Sequence, residues 1–136
     1  MQSRTGSVKQ RVALIASAGL IMSMAGCRVG PRQAGPVDRE LAQQSLVAVL
    51  DSWKNGGNPN DLKSHSPAII VQDFDWMTGY RLVDYRLLDK VFDDGPNLRC
   101  PVKLQMMNPQ GRKVEKQVRY MVGTDPAITV FRELPM

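Results

Sequence analysis

Leu98-Arg-Cys-Pro-Val-Lys-Leu-Gln-Met106 places an apolar side chain at every second position, the period of a strand with one buried and one wet face. Asn108-Pro-Gln-Gly111 follows, a cluster of turn-forming residues. The chain then returns through Val114, Val118, Tyr120 and Val122 at the same period. Together these stretches predict a long antiparallel hairpin. One residue breaks the pattern: Lys116 stands on the inward side of the return strand, where a charge needs a partner that local sequence does not supply.

Downstream, Thr124-Asp-Pro126 predicts a turn and Ile128 to Arg132 a last strand. Upstream, Asp93-Asp-Gly-Pro96 is a strong turn signal, Gly79 to Leu88 is strand-forming, and Ala68 to Val71 is a short apolar run suited to a strand. Before Pro67 the period changes from 2 to 3.6. Ala42, Leu46, Val49, Leu50 and Trp53 recur on one helical face. Asp38 is a good N-cap, Glu40 and Lys54 complement the helix dipole at its two ends, and Gly56-Gly57 stop the helix. Asn58-Pro59 can open a second, very short helix through Leu62. A helix followed by a meander, without alternating helices and strands, argues against a parallel sheet. The expected fold is α+β: an N-terminal helix packed on a curved antiparallel sheet of about four strands, spanning residues 37–136.

The first 26 residues have a different character. Arg4, Lys9 and Arg11 form a positive leader, followed by an uncharged run from Val12 to Ala25, the layout of an export signal. As a helix those 14 residues span only ~21 Å at ~1.5 Å each, short of the ~30 Å hydrocarbon core of a bilayer. The run ends in Met24-Ala25-Gly26-Cys27. This resembles the lipobox of bacterial lipoproteins, with Met24 where Leu is usual. The resemblance implies cleavage after Gly26, a thioether-linked diacylglyceryl group on Cys27 and, in many bacteria, an amide-linked acyl chain such as palmitate. Two or three chains at ~0.8 kcal/mol per buried methylene hold a protein stably at a membrane. Arg28, rather than Asp, follows Cys27, which favours the outer membrane in a Gram-negative host. Residues 27–36, with Gly30-Pro-Arg-Gln-Ala-Gly-Pro36, read as a tether.

The charge of +5 over 136 residues divides along the same boundary. Three of the 18 basic side chains and none of the 13 acidic ones lie in the leader, so the remaining 110 residues carry 15 against 13. The basic residues are scattered and form no tract suited to a nucleic acid backbone. Cys100 sits in an alternating apolar strand without a His or Cys at metal-ligand spacing, which predicts a buried hydrophobe and no metal. No cofactor-binding pattern is present.

The order of elements is similar to that of the cystatin-like superfold, including nuclear-transport-factor-2-like domains, in which a helix crosses a curled sheet. The residues behind the similarity are Leu50-Asp-Ser-Trp-Lys54, Asp75-Trp76, Gly79-Tyr80 and the closing strands. The superfold carries enzymes and binding modules alike, so it assigns no function. It does imply a concave sheet face on which Tyr80 and Asp84 would share a side by strand parity, Tyr85 taking the other. An inward Asp84 would need Arg86 or Arg119 as its partner; the other reading of Asp84 is a surface ion pair.

Gln-Asp73-Phe-Asp75-Trp76 is the densest unusual cluster. Alternation sets both carboxylates on one side, either for acid–base or cation chemistry or as caps of a turn that face water. The candidate ligand-binding residues are accordingly Asp73, Tyr80 and Asp84. His65 is the only histidine, in Ser64-His-Ser66, with no nucleophile or acid at a telling spacing. No catalytic residue is assigned. Two readings follow. In the first the chain is a non-enzymatic envelope lipoprotein, a tethered binding or interaction module pairing with an envelope protein or a second copy, for example through its sheet. In the second it is a small-molecule pocket protein, a lyase or isomerase of the nuclear-transport-factor-2-like type. That reading requires a cavity inside the sheet; an interior filled with Leu and Val would exclude it.

Overall fold

The computed structural model describes residue 19 and residues 33–135. The expected leader, the Gly26–Cys27 processing site and most of the tether lie outside the described residues. The chain is fastened to the domain from Gly35 onward. Gly35 N–H donates to Asp125 Oδ2 (2.7 Å), Val37 N–H to Gly95 O (2.8 Å) and Asp38 N–H to Thr124 Oγ1 (2.9 Å).

Helix α1 runs Arg39–Lys54. Its start is fixed by Asp38, whose carboxylate accepts the Leu41 N–H at 3.0 Å. Its end is marked by Gly56 at φ +82°, a left-handed conformation that costs glycine little. The expected apolar stripe Ala42, Leu46, Val49, Leu50 and Trp53 is buried, together with Ser45. A short 3-10 turn, Pro59–Ser64, follows behind an Asn58 capping box and buries Leu62. Next come strand β1 (Ile69–Gln72), the one-turn helix α2 (Phe74–Met77), β2 (Arg81–Leu87), β3 (Phe92–Asp93), β4 (Asn97–Met107), β5 (Lys113–Gly123) and β6 (Ile128–Arg132).

The class is α+β, as the sequence predicts, but the sheet is larger and mixed. Six strands take part, in the order β1-β6-β5-β4-β2, with β3 also on β4. The expectation of about four antiparallel strands is corrected on two points. Strand β1 pairs parallel with β6, Ile69 opposite Ile128 through Gln72 opposite Phe131. Nearly the whole meander separates these partners in sequence, so no local turn announced the pairing. Strand β3 adds two residues opposite Arg99 and Leu98.

The hairpin β4–β5 is the spine, with Asn97 opposite Gly123 through Met107 opposite Lys113. Its turn is closed by Asn108, whose Oδ1 accepts Gln110 N–H and Arg112 N–H. Along β4, Leu98, Cys100, Val102, Leu104 and Met106 are all buried and face α1 with Tyr120, Val122 and Val130. Each such side chain contributes ~1.5–3 kcal/mol by leaving water, and this layer holds helix to sheet. Pro101 interrupts an otherwise regular ladder without damage. Leu88 N–H donates to Pro101 O at 3.0 Å, so the main-chain groups of Pro101 point away from β5. On that side β2 has ended and β3 has not begun, and the missing proline N–H breaks no strand bond.

A bulge at Val83 alters β2. Leu82 lies opposite Met106 and Asp84 opposite Gln105, so one extra residue reverses the parity. Leu82 is buried and Tyr85 half-buried against the core, while Asp84 is turned outward. The expected sharing of a face by Tyr80 and Asp84 is therefore corrected.

Candidate functional site

Gln72-Asp-Phe-Asp-Trp76 leaves strand geometry after Gln72 and turns into α2, with Asp73 as its N-cap. Asp73 Oδ1 accepts the N–H groups of Asp75 (3.0 Å) and Trp76 (3.2 Å). The same carboxylate accepts the Tyr120 hydroxyl and, at 2.9 Å, Arg132 Nη1. That nitrogen also meets Asp75 Oδ2 at 2.6 Å. Lys116 Nζ reaches the same Asp75 oxygen at 3.1 Å and lies 5.4 Å from the Tyr80 ring centroid. The inward lysine left unexplained by strand period thus has its partner on the crossing from β1 to β2.

The turn-capping expected of this cluster is realised by Asp73, but neither aspartate faces water: Asp73 is 1% and Asp75 4% exposed, and charges so placed are tolerated only when paired and hydrogen-bonded. Burial and the neighbouring Asp73 charge push the Tyr120 phenol well above its ordinary range. Burial works to lower the Arg132 value, but Asp73, Tyr120 and Asp75 outweigh it and hold the guanidinium charged. No buried side-chain nitrogen or oxygen among the described residues lacks a hydrogen-bond partner. The arrangement is a closed ionic network joining α2 to β5 and β6, with Asp73 inside it rather than facing a ligand.

Above the network an open groove of about 790 Å³ runs along β5, lined by Phe74, Tyr80, Lys116, Val118, Arg132 and Leu134 among others. Phe74 and Leu134 are 73% and 83% exposed. Glu133 closes one side: both its oxygens accept guanidinium N–H, from Arg99 and from Arg119, while Asp94 takes the fork of Arg99 at 2.7 and 2.9 Å.

The three candidate residues do not converge. Asp73 is the hub of the network. Tyr80 lines the groove and accepts Trp53 Nε1–H through its carbonyl at 2.8 Å. Asp84 lies apart on the outer face, in a surface ion pair with Lys54 at 3.2 Å and not in an inward pair with Arg86 or Arg119. The Tyr85 N–H, and after it Lys54, hold the Asp84 carboxyl below its usual range. Tyr85 donates to Asp51 at 2.7 Å; burial and that hydrogen bond raise its phenol to about 12. His65 is an exposed C-cap of the 3-10 turn. Cys100 is buried, and desolvation raises its thiol to about 11, leaving it almost wholly protonated near neutral pH. Trp53 and Trp76 stack with centroids 5.5 Å apart; Trp76 Nε1–H donates to Gly57 O at 3.1 Å, so both indoles pin the core.

Arg132 and the pairing of Lys116 were not anticipated. The signal for Arg132 was present: it shares strand parity with Ile128 and Val130, both buried. An arginine on the core side of a strand requires a carboxylate. Among the described residues no His, Cys, Asp and Glu cluster is suited to a metal ion, and no helix is long and apolar enough to cross a membrane. No family model, curated protein or solved structure matches the chain.

Proposed function

We propose that this chain is an envelope lipoprotein whose folded domain is a non-enzymatic interaction module, held at a membrane by lipidated Cys27. The observation that carries the second half is the filled inner face of the sheet. Leu98, Val102, Leu104, Met106, Val122 and Val130 occupy it against α1, the place where a pocket enzyme of the nuclear-transport-factor-2-like kind keeps its cavity. The buried charges also satisfy one another, which leaves them structural. Support for the anchor is the sequence Met24-Ala-Gly-Cys27 behind a basic leader and a short apolar run. Kinship with the cystatin-like superfold rests on a helix laid across a curled sheet; the parallel β1–β6 pair is an addition to that pattern. Arg28 favours the outer membrane in a Gram-negative producer.

The test of the anchor is fractionation of a bacterium making the full chain, followed by mass spectrometry of the amino-terminal peptide. The expected product begins at Cys27 with a thioether diacylglyceryl group and sediments with membranes, and Cys27→Ala abolishes both. A soluble product, or one cut elsewhere, would refute lipidation. Native mass spectrometry of the same preparation addresses the interaction reading. A domain free of small molecules agrees with it, whereas a retained ligand would move the assignment to the groove beside Tyr80 and to a pocket protein.

A further inference from the structure

Strand β5 has two neighbours over only part of its length. It pairs with β4 from Lys113 to Gly123, but with β6 only from Tyr120 to Gly123, and Glu133 N–H donates to Arg119 O at 2.9 Å as β6 departs. That bond fixes which residues point toward the β6 side. In an antiparallel ladder the main-chain groups alternate, so those of Lys113, Glu115 and Gln117 face outward from the sheet edge. The bond from Asn108 N–H to Arg112 O at 2.9 Å agrees, placing the even-numbered residues toward β4. Among the described residues no strand pairs with this edge.

We propose that this edge is the module's docking site and that it takes an extended segment of a partner protein with alternating apolar and acidic side chains. The inference rests on the interaction-module reading and names the partner's chemistry. Added strands gain affinity from main-chain bonds and specificity from the side chains on either face. On the inward face the newcomer would lie beside Val114 and Val118, both half-buried, and the exposed ring of Phe74, which calls for apolar residues. On the outward face it would meet Lys113, Glu115, Gln117 and Arg119. With Arg112 at the turn and Lys116 inward between the two valines, the edge as a whole carries four basic residues and one acidic. Of the basic four, Lys116 and Arg119 already face Asp75 and Glu133. The single acidic residue, Glu115, is already paired with Lys103 at 2.9 Å, while Arg112 and Lys113 make no ion pair among the described residues. Charge also decides against a second copy, because two such edges would set cation against cation.

The experiment uses the full chain, produced in a bacterium and held in detergent, titrated into two fluorescein-labelled decapeptides. One alternates Glu and Val, the other Lys and Val. The expected result is saturable binding of the Glu peptide, at least about tenfold tighter than the Lys peptide, seen as a rise in anisotropy. Gln117→Pro should weaken it about tenfold while leaving the circular dichroism spectrum intact, since proline is tolerated where the lost N–H faces away from the sheet. The pair Arg112→Glu and Lys113→Glu leaves the backbone bonding alone and should reverse the preference between peptides. Equal affinity for both peptides, or binding indifferent to all three substitutions, overturns the proposal. A dimer that Gln117→Pro dissolves would put a second copy on the edge and overturn the acidic partner. A photo-crosslinking residue placed at 117 or at the exposed His65, on the 3-10 turn outside the sheet, in living cells separates this inference from the broader reading. Adducts at 65 alone refute the edge and leave an interaction module; adducts at neither refute both.

Discussion

The two ends of β5 are built from one alternating sequence and meet opposite fates. From Tyr120 to Gly123 the strand is sandwiched between β4 and β6, and Tyr120 and Val122 are fully buried. From Lys113 to Val118 it has one neighbour, its inward residues are only half-buried, and its outward residues face water. The buried end carries the Asp73–Tyr120–Arg132 heart of the ionic network and holds the fold. The open end adds only the outer Lys116–Asp75 pair and offers unpaired main chain along an edge rich in basic residues. Stability and the proposed recognition thus fall on different ends of a single strand, so each is open to alteration without the other.

The largest effect belongs to the buried end. Asp73→Ala removes the partner of Arg132 and Tyr120 together with the α2 cap, and should cost about 3–5 kcal/mol in denaturant unfolding. A loss below about 1 kcal/mol would mean that the network does not hold β6 to α2. Tyr120→Phe deletes one hydrogen bond to a charged acceptor and should cost about 1.5–3 kcal/mol. This variant also sharpens the pH dependence. An unfolded phenol ionises near pH 10, whereas burial and Asp73 keep the folded Tyr120 protonated to higher pH. Its contribution is complete below pH 10 and is lost as the pH rises above it. Tyr120→Phe should therefore flatten the alkaline fall in stability; an unchanged slope would assign that fall to Tyr85 and other groups. At the open end Lys116→Ala breaks a pair whose lysine is 40% exposed and should cost under about 1 kcal/mol. Glu115→Gln should stay within about 0.5 kcal/mol of the parent. A large loss from either would erase the distinction between the two ends.

Much of this was legible in the residues, and the failures have physical causes. The helix, its caps, the long hairpin and the last strand followed from period and turn chemistry. The parallel β1–β6 pair did not, because a four-residue apolar run carries no information about direction or a distant partner. The bulge at Val83 reversed the parity of β2 without a glycine or proline to flag it, which displaced Asp84 from the face expected of it. Gln72-Asp-Phe-Asp-Trp76 imitated strand alternation, although Asp73 is equally an N-cap, and that second role is the one realised. Lys116 and Arg132 were the clues to the network. Each is a cation at core parity on adjacent strands, and the two aspartates that answer them lie more than forty residues from Lys116 in sequence. Such pairing is settled by the fold and not by spacing.

The most direct test of the division of β5 is residue-resolved amide exchange on the full chain in detergent. The account predicts rapid exchange at Lys113, Glu115 and Gln117, slow exchange at Val114, Lys116 and Val118, whose amides face β4, and protection at every residue from Tyr120 to Val122. Added Glu–Val peptide should slow the three fast amides selectively. Uniform protection of residues 113 to 118 in the free chain would show the edge already covered and would contradict the account.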